Sequence, residues 1–248
     1  MISANYFRVW ATVLTAILAS ILLCVVVFTT GAGAQVLPLS GKTVVIDPGH
    51  GGSDSGATYT SPTGNKLYEK DQNLDVAYKL KDLLQASGAR VYMTRGGDPA
   101  GNADDCNPDD ATLSNTNRYV CANSLKAAHP GTYVLVSIHM NGSTNTSADY
   151  TTTLFGKWRK DKELANTMFG SLSTLPAAND KGGTIATRTP YSFASGVLLK
   201  SNMPATIAET VFITNDKEGQ LLSDVTGARQ QQIAEALKVG TENYLTTH

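Results

Sequence analysis

The stretch TVVIDPGHGG, residues 43–52, decides how this chain folds. Thr43 to Ile46 is a short β-branched, apolar run, the composition of a buried strand, and Asp47 and Pro48 stop it. The glycines that follow let the main chain approach an ion or a substrate closely, so His50 stands in a strand-to-loop turn suited to a site. Working outward, a glycine-rich loop runs to about Thr63. Glu69 to Ser87 then reads as a helix, with Val76, Leu80, Leu83 and Leu84 on one face and Gly88 at its C-terminal stop. Arg90 to Thr94 is the next strand, and a polar loop from Gly96 to Asp110 leads to a helix around Thr112 to Ala128. Tyr133 to Ile138 is a second fully apolar strand, with His139 at its C-terminal end, where open α/β sheets place ligands. Asp149 to Phe155 alternates like a half-exposed strand, Lys160 to Leu175 reads as a helix, and Pro176 to Gly196 as loop. Ala205 to Ile213 is a last strand. Ala228 to Leu245 is a terminal helix whose inward stripe runs near Ile233, Leu237, Val239 and Gly240. This alternation predicts one α/β layered domain over residues 41–248.

With 248 residues, 42% of them hydrophobic and 17% charged, the chain can bury a full core. A formal net charge of -1 and the lack of any Lys or Arg run argue against nucleic acid as a partner. At the front, Arg8 precedes an uncharged stretch from Trp10 to Thr30 and the small residues Gly31 to Ala34. Residues 1–34 therefore read as a signal peptide cleaved after an A-x-A pattern, or as an N-terminal membrane anchor, since the apolar stretch is long enough to span a bilayer. Either way the domain is exported, to the periplasm, cell wall or medium. Cys24 lies in this segment. Cys106 and Cys121 are left in the domain, either as a disulfide worth roughly 3 kcal/mol in the chain-entropy model or as two buried thiols.

His50, Glu69 and His139 each close or follow a strand-like segment and together make a His, Glu, His set of the kind that binds zinc. Three nitrogen and oxygen ligands leave a fourth tetrahedral position for water, which separates catalytic from closed structural zinc sites. Each residue alone also has a plainer reading: a turn histidine, a first-turn helix acid facing the dipole, and a satisfied core histidine. Asp47 is a candidate acceptor for the ring of a metal-bound histidine, or a turn cap. Glu209 stands inside the last apolar strand, so its carboxylate is either a proton carrier beside the metal or half of an inward ion pair with Arg118 or Lys200. His129 and His248 read as solvated turn and tail residues.

These residues carry a resemblance. Val45-Ile-Asp-Pro-Gly-His-Gly-Gly52, Glu69-Lys-Asp-Gln-Asn-Leu74, Thr94-Arg95, Arg118 with Ala122-Asn123, Val136-Ser-Ile-His-Met-Asn141, and Met203-Pro-Ala205 leading to Glu209 and Asn215 resemble the zinc-dependent N-acetylmuramoyl-L-alanine amidases that cut bacterial peptidoglycan. The resemblance covers about Thr43 to Leu245. It implies a mixed, mostly parallel sheet with helices on both faces, and one Zn2+ per chain held by His50, Glu69 and His139. It also implies Glu209 as catalytic acid or base, and peptidoglycan or muropeptide as substrate. Two departures, Val211 where the family has glycine and Leu199 in place of an arginine, bear on the substrate groove. A monomer with a constitutively open groove is expected, because the segment from Asn141 to Ala205 is too short and polar for an inserted plug helix. A catalytically silent envelope protein that binds peptidoglycan is the alternative, with another zinc peptidase as a third reading. A carboxypeptidase would more typically present a His-x-x-Glu pair, which this sequence lacks.

Overall fold

The computed structural model describes residues 36–62, 64–96, 115–156, 160–179 and 181–248. The export or anchor segment, Cys24 and Cys106 lie outside the described residues. Among the described residues no helix is long and apolar enough to cross a membrane. Leu37–His248 forms one compact unit, which starts ahead of Gly41 because Leu39 is fully buried and its N–H bonds to Ser87 O at 2.9 Å.

Six strands make the main sheet: β1 (Lys42–Pro48), β4 (Arg90–Met93), β5 (Thr132–Asn141), β6 (Thr152–Phe155), β7 (Tyr191–Ser192) and β8 (Ala205–Phe212). Their order is β4-β1-β5-β8-β6-β7. Every pair is parallel except β6 with β8, so the sheet is mixed and mostly parallel. Two three-residue strands, β2 (Thr58–Thr60) and β3 (Lys66–Tyr68), form a separate hairpin inside what the sequence presents as plain loop.

Strand alternation sorts the core into two layers. Val44, Ile46, Val136 and Ile138 face one side, packed with α1 (Glu69–Ala86), α3 (Asp161–Leu172) and α6 (Ala228–Thr247). Val45, Leu135 and Ile207 face the other, against α2 (Asn115–Ala128) and α4 (Gly196–Lys200). Helices thus cover both faces, with a further helix, α5 (Asp216–Leu222), between β8 and α6. Cys121 on α2 is disulfide-bonded, which removes the reading of it as a free thiol.

Three local expectations need correction. β6 is buried rather than half-exposed, because Thr153 bonds into α3 through Ala165 O while Leu154 packs in the opposite layer. Val239 points outward from α6; Ile233, Leu237 and Gly240 form the inward stripe, with Ala236. Val211 does not face the groove. Between His139 and Asn141 on β5, opposite Glu209 to Phe212, the register shifts by one extra residue in β8, and this bulge turns Val211 into the α1/α6 layer.

Candidate metal centre and active site

The parallel pairing of β1 with β5 brings their C-terminal ends side by side, and those ends carry His50 and His139. Gly49 N bonds to Ile138 O at 2.8 Å, which extends the pairing into the turn. His50 adopts the left-handed conformation at φ 61°, costly for a residue with a β-carbon and held here by its surroundings. Arg118 Nη2 donates to His50 O at 2.6 Å and its Nη1 to Pro48 O at 2.8 Å. Buried Arg95 donates to Pro48 O, Gly49 O and Lys70 O, each within 2.9 Å. Two guanidinium groups therefore fix the carbonyls of the histidine turn.

Glu69 opens α1 and enters the same space. Its Oε2 lies 3.1 Å from His50 Nε2 and its Oε1 3.1 Å from His139 Nδ1. Backbone donors set the carboxylate plane: Ala57 N reaches Oε2 at 2.9 Å and Met140 N reaches Oε1 at 3.0 Å, with Asn73 Nδ2 also on Oε1. The two imidazole rings meet edge to face at 4.9 Å. One ligand atom from each of His50, Glu69 and His139 lies within 4.8 Å of the others. Two imidazole nitrogens and a carboxylate oxygen, half-open to solvent, are a donor set that zinc accepts.

The same proximity displaces their protonation. Burial alone would raise the Glu69 carboxyl, but hydrogen bonds and charge from His139 and His50 bring it far below the usual carboxylate range. His50 is pushed up to about 9, first by its hydrogen bond to Glu69, with Asp54 adding to it. Asp54 Oδ2 sits 2.9 Å from His50 Nδ1, the position from which a carboxylate fixes the tautomer of a ligating histidine. Asp47 was a candidate for that role, with a turn cap as the alternative. Asp47 instead follows Ile46 by strand alternation toward α2, where Thr94, Ser137 and Arg118 bond to it at 2.5 to 2.7 Å. Burial opposes its ionisation, yet the Arg118 charge and these hydrogen bonds hold its carboxyl below the ordinary value.

Glu209 lies directly across from His139 in the β5/β8 register. Arg118 is engaged by Asp47, and among the described residues neither it nor Lys200 pairs with Glu209. Burial raises its carboxyl, and the nearby Glu69 charge adds to that against the pull of His139 and His50. His50, His139 and Glu209 line one cavity of about 420 Å³, whose far wall is Tyr191, Phe193 and Val197. A larger cavity, about 610 Å³, opens between α3 and α6, but Glu235 is the single ionisable group lining it, so no chemistry gathers there. α3 packs on α6, and α4 on α2, so these two helices of the 141–205 segment belong to the core layers. Of the other histidines, His129 stacks on Tyr92, and His248 stacks on Tyr244 and pairs with Glu163 at 3.0 Å.

A carboxylate bracketed by two histidines at paired strand ends, with a buried glutamate across the register, is a specific arrangement. Residues 44–243 match the model of the N-acetylmuramoyl-L-alanine amidases. The chain belongs to this family. It is similar to the probable cell wall amidase LytH of Staphylococcus epidermidis, 30% identical over 210 residues that cover 85% of this chain. The chain spans 60% of the length of that relative. It is 32% identical over 229 residues to the uncharacterized protein YqiI of Bacillus subtilis, covering 91% of this chain and 96% of YqiI. The solved N-acetylmuramoyl-L-alanine amidase of Clostridium difficile 630 shares the fold with a TM-score of 0.65 at 32% identity, over 83% of this chain and 97% of that one.

Asp54, Asn73 and Arg95 are the site residues of this amidase-family chain that sequence reasoning left without a role. Asp54 sits in a glycine-rich loop where no period marks it, and Arg95 was visible only as part of a motif. Asn73 was readable in principle, because it stands one helical turn after Glu69 and shares its face.

Proposed function

We propose that this chain hydrolyses the amide between N-acetylmuramic acid and the L-alanine of the peptidoglycan stem peptide, with a zinc ion held by His50, Glu69 and His139. The observation that carries the reading is the convergence of those three donors at the mouth of a cavity that also holds Glu209. Zinc, when bound, supplies Lewis acidity toward the scissile carbonyl and lowers the pKa of a water toward about 7. The remaining work falls to the chain. Asp54 accepts the Nδ1 proton of His50 and leaves Nε2 free to face the ion. The backbone N–H groups of Ala57 and Met140 hold Glu69 so that its two oxygens address both histidines. Glu209, whose protonated form burial favours, takes the proton of the attacking water and delivers it to the leaving amine. The 1–34 segment exports the domain to the wall, where this substrate lies.

The test is digestion of purified peptidoglycan by the zinc-loaded protein, with new amino termini counted and the released peptides identified by mass spectrometry. Peptides beginning with L-alanine and glycan strands retaining intact lactyl groups are expected. Release of no amino termini by protein carrying one zinc per chain would leave the silent binder as the reading.

A further inference from the structure

One exposed cation beside the active-site cavity has no role in the chemistry above. The segment after α3 returns along the outer side of β6: Thr187 bridges to Thr151, Arg188 N bonds to Thr151 O at 3.0 Å, and Tyr191 pairs with Leu154. This places Arg188 next to Tyr191, a residue that lines the cavity. Its guanidinium is centred 5.0 Å over the ring of Tyr191, and Nη1 donates to Tyr150 Oη at 3.3 Å. Tyr150 is itself wedged edge-on against Phe212, with centroids 4.6 Å apart. Among the described residues no carboxylate pairs with Arg188. One Tyr150 hydroxyl occupies one N–H, and the rest of the guanidinium fork is open to a planar, bidentate anion. Stacking on Tyr191 restricts the side chain beforehand, which lowers the entropy lost when it captures a partner.

The cavity below needs such a cation. Asp47, Asp54 and Glu209 line it, and the arginine that lines it, Arg118, is engaged by Asp47 and by carbonyl oxygens of the histidine turn. A peptide bearing carboxylates would meet like charge there. β6 lies between β8 and the returning segment, so with strands roughly 4.8 Å apart Arg188 stands roughly 10 Å from the strand carrying Glu209, about three extended residues away.

We propose that Arg188, braced by Tyr150 and Tyr191, is a specificity-determining residue that binds a carboxylate of the peptide on the leaving side of the scissile amide. The proposal rests on the amidase reading. The zinc-loaded full chain is assayed on a muropeptide with free carboxylates and on the same muropeptide converted to carboxamides. The wild type should favour the acid form by roughly tenfold in kcat/KM, carried by KM. Arg188→Ala should bring the two substrates to within about twofold of each other, and Arg188→Lys should retain part of the preference. Equal losses on both substrates in Arg188→Ala, or no preference in the wild type, would overturn it. Calorimetric binding of both ligands to Glu209→Gln separates the two claims. Acid-selective binding without cleavage of either muropeptide by the wild type sinks the amidase reading and upholds the Arg188 contact, whereas cleavage with unselective binding does the reverse.

Discussion

Replacing Gly49 with alanine is expected to unload the metal centre while the fold survives. A β-carbon built at Gly49 lies 2.3 Å from Cε1 and Nε2 of His139 and 2.6 Å from Nδ1. Ordinary contact begins at 3.4 Å, so the ring must retreat by about 1 Å. Backbone strain is not the cause, since Gly49 is not among the residues with left-handed φ. Nor can the ring slide away at little cost. Its Nδ1 bonds to Glu69, and its strand is held on both sides by β1 and β8. Metal sites tolerate ligand displacements of about 0.2 Å, so a shift of about 1 Å removes one of three donors. Zinc affinity should fall by at least about 100-fold, more than loss of a supporting contact costs. Overpacking should cost the metal-free protein about 1–3 kcal/mol, a fall of no more than about 12 °C in Tm. Chelator competition gives the affinity, and thermal unfolding of the metal-free protein gives the control. An alanine variant that binds zinc within about threefold of wild type, fully folded, would refute this account of how the ligands are placed.

Other outcomes follow from the same geometry. Glu209→Gln should lower kcat by roughly 10²–10⁴ while metal content and Tm stay near wild type, and a loss under tenfold would remove Glu209 from the chemistry. Asp47 has a folded pKa below its unfolded value, so its contribution to stability is present above about pH 4 and lost as the pH falls through the lowered value. Urea unfolding should therefore show the wild type losing more stability than Asp47→Asn between about pH 6 and pH 3. Arg229→Met strands the fully buried Glu218, which Arg229 holds through Nε at 2.8 Å and through Nη2. About 3–5 kcal/mol should be lost, or roughly 6–20 °C in Tm, with most of it recovered in the double replacement Arg229→Met, Glu218→Leu.

Much of this was legible in the chain because the decisive elements carry strong periods. β1 and β5 are unbroken apolar runs, α1 repeats Val76, Leu80 and Leu84 on one face, and parallel neighbours in an α/β sheet align their C-terminal ends. His50 and His139 follow from that alignment, and Glu69 follows as the first residue of α1. What stayed hidden depends on contacts that no period encodes. The β2 and β3 hairpin is too short to alternate detectably, and α4 and α5 span barely one or two turns. Asn215 caps α5 by accepting from Lys217 N and Glu218 N, a start signal not read as one from the sequence. The candidate role of Asp47 as acceptor for a histidine ring failed on pleat geometry. Adjacent strand residues point to opposite faces, so Asp47 leaves the sheet toward α2 while the chain needs the turn beyond it to bring His50 back over Glu69.

The distribution of charge fits the proposed reading, a cation at the centre of the site and an anion at its edge. Asp54, Glu69 and Glu209 converge on the two histidines, whereas Arg95 and Arg118 lie beneath them and donate to carbonyl oxygens and to Asp47. Buried in that way, the arginines stabilise the left-handed His50 turn and neutralise Asp47, and they offer nothing to a substrate. The cluster that remains is negative until a divalent ion enters, and after it does Glu209 still faces the space a substrate would fill. Positive charge available to an acidic peptide must then come from outside the cluster, and at the β6–β7 edge the side chain standing there is Arg188. Catalytic preorganisation and substrate selection are therefore assigned to different arginines, and substitutions of the two kinds should separate. Loss of Arg118 should destabilise the histidine turn and weaken metal binding, while loss of Arg188 should leave metal content intact and change which peptides are cut.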